Sequence, residues 1–206
     1  MDPGSRETLR ELLESARGLG LVGPGPVDAQ VEHALRWAER LPPTTEFLDL
    51  GSGAGLPGLV VTLAWERARA TLLDSRHRSA AFLEVAVGRL QIADRVQVVC
   101  ERAEVAARLP DLRGRFALVL ARGFGPPAAT AECGAGFLGV GGTLSVSEPP
   151  DVQVGRWPED RLAELGLGAA QRVSSGETCF VMLRKVSALD DRWPRRDGRP
   201  HRRPLW

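Results

Sequence analysis

The sequence predicts an α/β fold: a seven-stranded, mostly parallel sheet with helices on both faces, preceded by a small helical cap. Three observations lead there. From residue 45 onward, strand-length apolar runs alternate with longer amphipathic stretches; a glycine-rich turn joins the first run to the first such stretch; and an acidic residue closes the second run. Strand alternating with helix is the mark of βαβ units, whose crossovers make neighbouring strands parallel.

The elements follow in order. Leu9, Leu12, Leu13 and Ala16 stand at helical spacing within residues 6–17. Val31, Ala34, Leu35, Ala38 and Leu41 repeat that spacing over residues 27–41, which end at Pro42-Pro43, and the breaker-rich GLGLVGPGPVD separates the two stretches. Residues 1–43 are therefore expected to be the helical cap. The runs then read EFLDL, a helix over 56–67, ATLLD, a helix over 78–91, RVQVVC, a helix over 105–109, FALVLA, a helix over 128–138, and GTLSVS. After a last helix over 158–165, AAQRVSS and TCFVMLRKV flank Gly176 as an antiparallel hairpin at the sheet edge. Seven strands result, parallel but for one near the end, in a main domain expected to span 44–187.

Composition narrows the class. With 206 residues, 43% hydrophobic and 26% charged, the chain suits a folded domain and not a disordered one. No stretch approaches the ~20 apolar residues of a membrane span, and MDPGSRETLRELLESARG is too charged for a signal peptide, so a cytoplasmic protein without a membrane partner is expected. Cys100, Cys133 and Cys179 are odd in number and scattered, which argues against a disulfide framework or a metal site. Net charge is +1, but residues 192–206 hold six arginines against one aspartate, leaving 21 basic and 25 acidic residues before them. A basic tail, 188–206, is expected to follow an acidic body. Arginine far outnumbers the single lysine and asparagine is absent, a bias that suggests a GC-rich bacterial genome.

The stretch that carries most information about function runs from Phe47 through Asp49, Gly51, Gly53, Gly55 and Leu56 to Gly58. A buried strand ends at Asp49-Leu50, glycines recur at alternate positions, and a helix opens near Leu56. Glycines let the backbone turn tightly and approach a ligand, and ligands of open α/β sheets sit at the carboxyl ends of the strands. Gly53, Gly55 and Gly58 satisfy the GxGxxG spacing of dinucleotide binding. Asp49 speaks against a dinucleotide, because a carboxylate there would face the pyrophosphate, whereas it suits the cationic amino-acid end of S-adenosylmethionine. Asp74 closes the second strand, the place from which a carboxylate accepts hydrogen bonds from ribose hydroxyls of either cofactor.

Later strand ends supply further candidates. Ala103-Glu104 could hold an adenine through a backbone N–H and a carboxylate, and Arg122 could bind cofactor or a substrate phosphate. GxSxG, HExxH and P-loop patterns are missing, as is the Asp/Asn-Pro-Pro-aromatic motif of amino-group methylation. An acceptor atom with a free lone pair needs no general base, only in-line positioning. No residue is assigned as catalytic.

At these residues the chain resembles the bacterial small-subunit ribosomal RNA guanine-N7 methyltransferase family, the glucose-inhibited division protein B group. The resemblance lies in DLGSGAGLPGL (49–59), LLDSRHRSAAFLEVAVGRL (72–90), ERAE (101–104), LARGF (120–124) and GFLGVGGTL (136–144), and in the ending RKVSALDDRWPRRDGRP (184–200). It implies a class I, Rossmann-like, S-adenosylmethionine-dependent fold that methylates N7 of a guanine in small-subunit rRNA or the ribosomal subunit. By position it implies cofactor contacts from Gly51, Leu56, Ala103, Glu104 and Arg122, supported by Asp49, Gly53, Gly55 and Asp74. Arg122, Arg195, Arg196 and Arg199 are the candidate substrate contacts. His33 matches a histidine on the family's amino-terminal helix.

Two departures from the family pattern stand out. Arg36 and Trp37 replace an Asp/Asn-Ser/Cys pair, and Val146-Ser147-Glu148-Pro149 replaces leucine-lysine-glycine. Glu148 is expected at the open edge of the sheet, where it would repel RNA phosphate. On that expectation the alternatives are a paralogue methylating another nucleic acid or a small molecule, or a cofactor- or RNA-binding module without catalysis.

Overall fold

The strands are β1 (Glu46–Leu50), β2 (Arg69–Asp74), β3 (Val96–Cys100), β4 (Phe116–Ala121), β5 (Leu138–Glu148), β6 (Gln171–Ser175) and β7 (Thr178–Arg184). They form one seven-stranded sheet in the order β3-β2-β1-β4-β5-β7-β6. The helices are α1 (Pro3–Gly18), α2 (Val27–Arg40), α3 (Gly58–Ala64), α4 (His77–Arg89), α5 (Ala103–Ala106), α6 (Pro127–Phe137), α7 (Glu159–Glu164) and α8 (Arg199–Arg202). The structure, a computed structural model, describes residues 1–149, 151, 155–175 and 178–206. Its contacts divide it into two compact units, residues 1–101 and 102–206.

In residues 1–101, β2 pairs in parallel with β1 on one side and β3 on the other. Phe47, Leu48, Leu50 and Leu72 are fully buried, as expected where both faces of a parallel sheet are covered. Helix α1 begins at Asp2, whose carboxylate accepts the Ser5 N–H at 3.0 Å, and lays Leu9, Leu12, Leu13 and Ala16 against its neighbours α2 and α4. Helix α3 is shorter than the apolar spacing predicts. It starts only after Pro57 and stops at Ala64, where Trp65 turns inward to meet Phe47 edge-on at 5.9 Å.

In residues 102–206, β4 and β5 are parallel, and β7 runs antiparallel to both β5 and β6. The one antiparallel strand near the end is thus β7. The turn expected at Gly176 lies outside the described residues. Strand β5 is longer than GTLSVS predicts, and its register against β4 slips between Phe116 and Leu118. Helix α6, rich in alanine and glycine, packs on β4 and β5 with nearly every residue buried, and α8 packs on α6. Helix α5 starts two residues earlier than the spacing predicts, so Ala103 and Glu104 form its first turn.

Candidate cofactor and substrate site

The loop after β1 is tied to the end of β2 by a run of hydrogen bonds. The N–H groups of Gly51 and Ser52 both donate to the Leu73 carbonyl at 2.9 Å, and the Gly53 N–H donates to Asp74 Oδ2 at 2.9 Å. Gly51, Gly53 and Gly55 take φ of +75°, +56° and +87°, a left-handed run open to glycine and costly to other residues. Gly58 is required for a different reason. A Cβ there would lie 2.5 Å from both Asp49 Oδ2 and the Leu72 side chain. Asp49 is 1% exposed and accepts the Gly58 N–H at 2.9 Å, so it braces the start of α3 from within. Leu56 is half-buried in the loop.

Asp74 is 6% exposed. Its Oδ1 accepts the Arg76 N–H at 2.9 Å, and the Arg76 guanidinium spans both oxygens at 3.2 and 3.3 Å. The Arg76 side chain is 58% exposed. The arrangement is compatible with a ribose: a strand-end carboxylate held by backbone N–H groups, beside a loop with glycine at positions 51, 53 and 55.

In the second unit, Ala103 and Glu104 are buried and Arg122 is half-buried just past β4. Glu104 Oε1 accepts the Arg102 Nε at 2.6 Å and the Gly198 N–H at 2.9 Å. Burial pushes this carboxyl up, but hydrogen bonds from Arg102, its own backbone and Gly198, with the Arg102 charge, leave it below its ordinary value. It is charged at neutral pH.

The basic tail does not project from the second unit. Arg195 donates its main-chain N–H to Glu132 Oε1 at 2.7 Å, and its guanidinium reaches Glu132 through Nε at 3.0 Å and Nη2 at 2.7 Å. Glu132 is fully buried, so this arginine is committed internally and not available to phosphate as the sequence suggested. Arg196 and Arg199 remain exposed. Arg199, Arg202, Arg203 and Asp197 line a cavity of about 360 Å³.

In both departures from the family pattern the residue singled out, Glu148 or Trp37, is buried. Glu148 is 8% exposed and accepts the Arg156 Nε at 2.6 Å. The expectation of a carboxylate facing RNA is therefore corrected: burial and an ion pair neutralise it. Trp37 is fully buried on α2, edge-on to His33 at 5.6 Å. Sequence reasoning missed Arg76, Arg102, Gly198 and the Arg195–Glu132 pair. A signal for the last existed, since Glu132 is the lone charge in the apolar helix PAATAECGAGF. Among the described residues no group of three or more His, Cys, Asp or Glu could hold a metal ion, and no helix is long and apolar enough to cross a membrane.

Comparison with known proteins adds to this geometry. A family model described as rRNA small subunit methyltransferase G matches residues 26–147. Ribosomal RNA small subunit methyltransferase G of Dictyoglomus thermophilum is 30% identical over 164 residues, covering 77% of this chain and 68% of that protein. The protein of the same name from Thermotoga neapolitana is 33% identical over 164 residues, covering 77% and 70%. Among solved structures, an O-methyltransferase family protein from Burkholderia thailandensis aligns with a TM-score of 0.59 at 13% identity, over 78% of this chain and 58% of that one. Mitomycin 7-O-methyltransferase aligns with a TM-score of 0.61 at 15% identity, over 77% and 54%. At such identities the likeness speaks for the fold, which is that of class I methyltransferases.

Proposed function

Because the chain belongs to the rRNA small subunit methyltransferase G family, we propose that it methylates N7 of a guanine in small-subunit ribosomal RNA with S-adenosylmethionine as donor. The observation that carries the reading is the family match across the glycine loop and Asp74, joined to the hydrogen bond that ties Gly53 to Asp74. When bound, the cofactor supplies an electrophilic methyl group on a sulfonium. Asp74 accepts from the ribose hydroxyls, Glu104 from the adenine amino group, and the N–H of Ala103 donates to the ring. The glycine loop from Gly51 to Leu56 leaves room for the amino-acid end, with Asp49 holding it in shape.

Guanine N7 carries its own lone pair and no proton, so no side chain has to remove one. The chain's task is to hold the base in line and to keep the phosphates in register, a matter of positioning worth several orders of magnitude in rate. Arg122 and the exposed Arg196 and Arg199 are suited to phosphate, a contact that sets position without reading sequence. In this reading residues 1–43 cap the domain of 44–187, residues 188–206 contribute to the site, and the protein works in the cytoplasm on rRNA or the ribosomal subunit.

The test is transfer of labelled methyl from S-adenosylmethionine to purified small subunits, to naked small-subunit rRNA and to a small-molecule extract. Label in N7-methylguanine of the rRNA is expected. Label only in the extract would point to a small-molecule substrate, and cofactor binding without transfer would point to a non-catalytic module.

A further inference from the structure

We propose that the C-terminal segment is part of the cofactor site, with the main-chain N–H of Gly198 acting beside Arg102 as a positioning device for Glu104. The inference rests on reading Glu104 as the acceptor for the adenine amino group. Glu104 is 2% exposed, and a carboxylate that deep keeps one orientation only where donors fix it. Gly198 and Arg102 converge on the same oxygen, Oε1. A ligand amino group is then taken by Oε2, whose direction is set by a residue 94 positions further along the chain.

The segment is built to hold that N–H in place. Asp197 and Gly198 take φ of +61° and +68°, a tight left-handed turn that aims the Gly198 N–H inward. Just before it, Arg195 is fastened to the buried Glu132 by hydrogen bonds from its main-chain N–H, Nε and Nη2. Trp193 is 5% exposed, and the Arg108 and Arg113 guanidiniums grip the carbonyls of Pro194 and Trp193 at 2.7 and 2.9 Å. Just after it, the His201 ring stands 5.1 Å from that of Phe124, two residues beyond Arg122. A segment serving only to tether phosphate would need none of these inward contacts. A side chain at Gly198 is strained by the φ of +68°, and its Cβ would lie 2.7 Å from Arg102 Nη2, so the guanidinium whose Nε donates to Glu104 would have to shift.

The experiment compares binding of S-adenosylhomocysteine with its hypoxanthine analogue, in which a carbonyl replaces the amino donor, by calorimetry on the full chain. Wild type should prefer the adenine form by about tenfold or more, the scale of one hydrogen bond to a charged group. E104Q should lose that preference. G198A and R195Q, checked for folding by thermal melts, should reduce it to within about threefold, a loss of discrimination that general loosening would not produce. Should R195Q fail to fold, G198A alone decides. If E104Q keeps the preference, the reading of Glu104 fails and the inference with it. If E104Q loses it while the folded segment variants keep it, the segment is scaffold alone and the proposal is overturned.

Discussion

The main-chain N–H of Gly53 donates to the Asp74 carboxylate at 2.9 Å, across 21 residues of sequence. Asp74 thus shapes the glycine loop, and in the proposed function it also accepts from the ribose, so the two functions are expected to fail together. Asp74→Ala is expected to weaken S-adenosylhomocysteine binding by about 1.5–3 kcal/mol. Gly53→Val should abolish it, although the nearest atom to a Cβ there is Arg76 Nη2 at 3.6 Å. The damage comes from a branched residue at φ +56° and from its bulk in the ligand's path. Unchanged calorimetric affinity in both variants would remove the site assignment.

Strands β1, β2 and β4 were legible because each is a short apolar run, and FALVLA matches β4 residue for residue, whereas β5 runs through Gly141-Gly142 and begins earlier than its apolar run. Asp74 was legible as a strand-end acid. The docking of the tail was not, because it depends on pairing Arg195 with Glu132, 63 positions apart, and on a backbone donor at Gly198. Composition marks six arginines as a basic tail but cannot say which of them face inward.

That division gives a prediction about RNA. Replacing Arg199, Arg202 and Arg203 together with glutamine should lower the slope of log K for rRNA against log salt by about 2, at ~0.7 per single-strand phosphate contact. Arg195→Gln should reduce stability instead, since it strands a buried carboxylate, a loss of about 3–5 kcal/mol. An unchanged slope for the triple variant, measured by filter binding across a salt series, would show that these arginines do not touch phosphate.

Glu148 illustrates how burial changes a sequence-based expectation. Placed at a strand end opposite RNA, it would favour replacement by lysine. Paired with Arg156 and 4% exposed in its side chain, it does not. Glu148→Lys sets a buried cation against the part-buried Arg156 and is expected to cost about 3–5 kcal/mol in denaturant titration, with no gain in rRNA methylation. A stable variant with several-fold faster transfer would restore the idea of a substrate-facing carboxylate.

The single lysine of the chain, Lys185, is 2% exposed and donates to the Leu165 carbonyl at 2.6 Å. Burial, aided by the Arg113 charge, lowers its pKa to about 8. Between about pH 8 and its ordinary value of 10.5 the unfolded chain holds a proton that the folded chain has released. Stability from this group therefore rises with pH across that window. Relative to Lys185→Met, wild type should gain up to about 3 kcal/mol from pH 7.5 to 10.5. A constant difference between the two proteins in urea unfolding would contradict the burial of a charged amine.

The function of the protein turns on where the methyl group goes. Reduction and aniline cleavage of small-subunit rRNA, from cells with and without the gene, reads N7-methylguanine base by base. The expected result is one guanine cleaved in the parent and protected in the deletion, with cleavage restored by the wild-type gene but not by one carrying Asp74→Ala. Identical cleavage patterns in parent and deletion would contradict the assignment of rRNA guanine N7 as the acceptor.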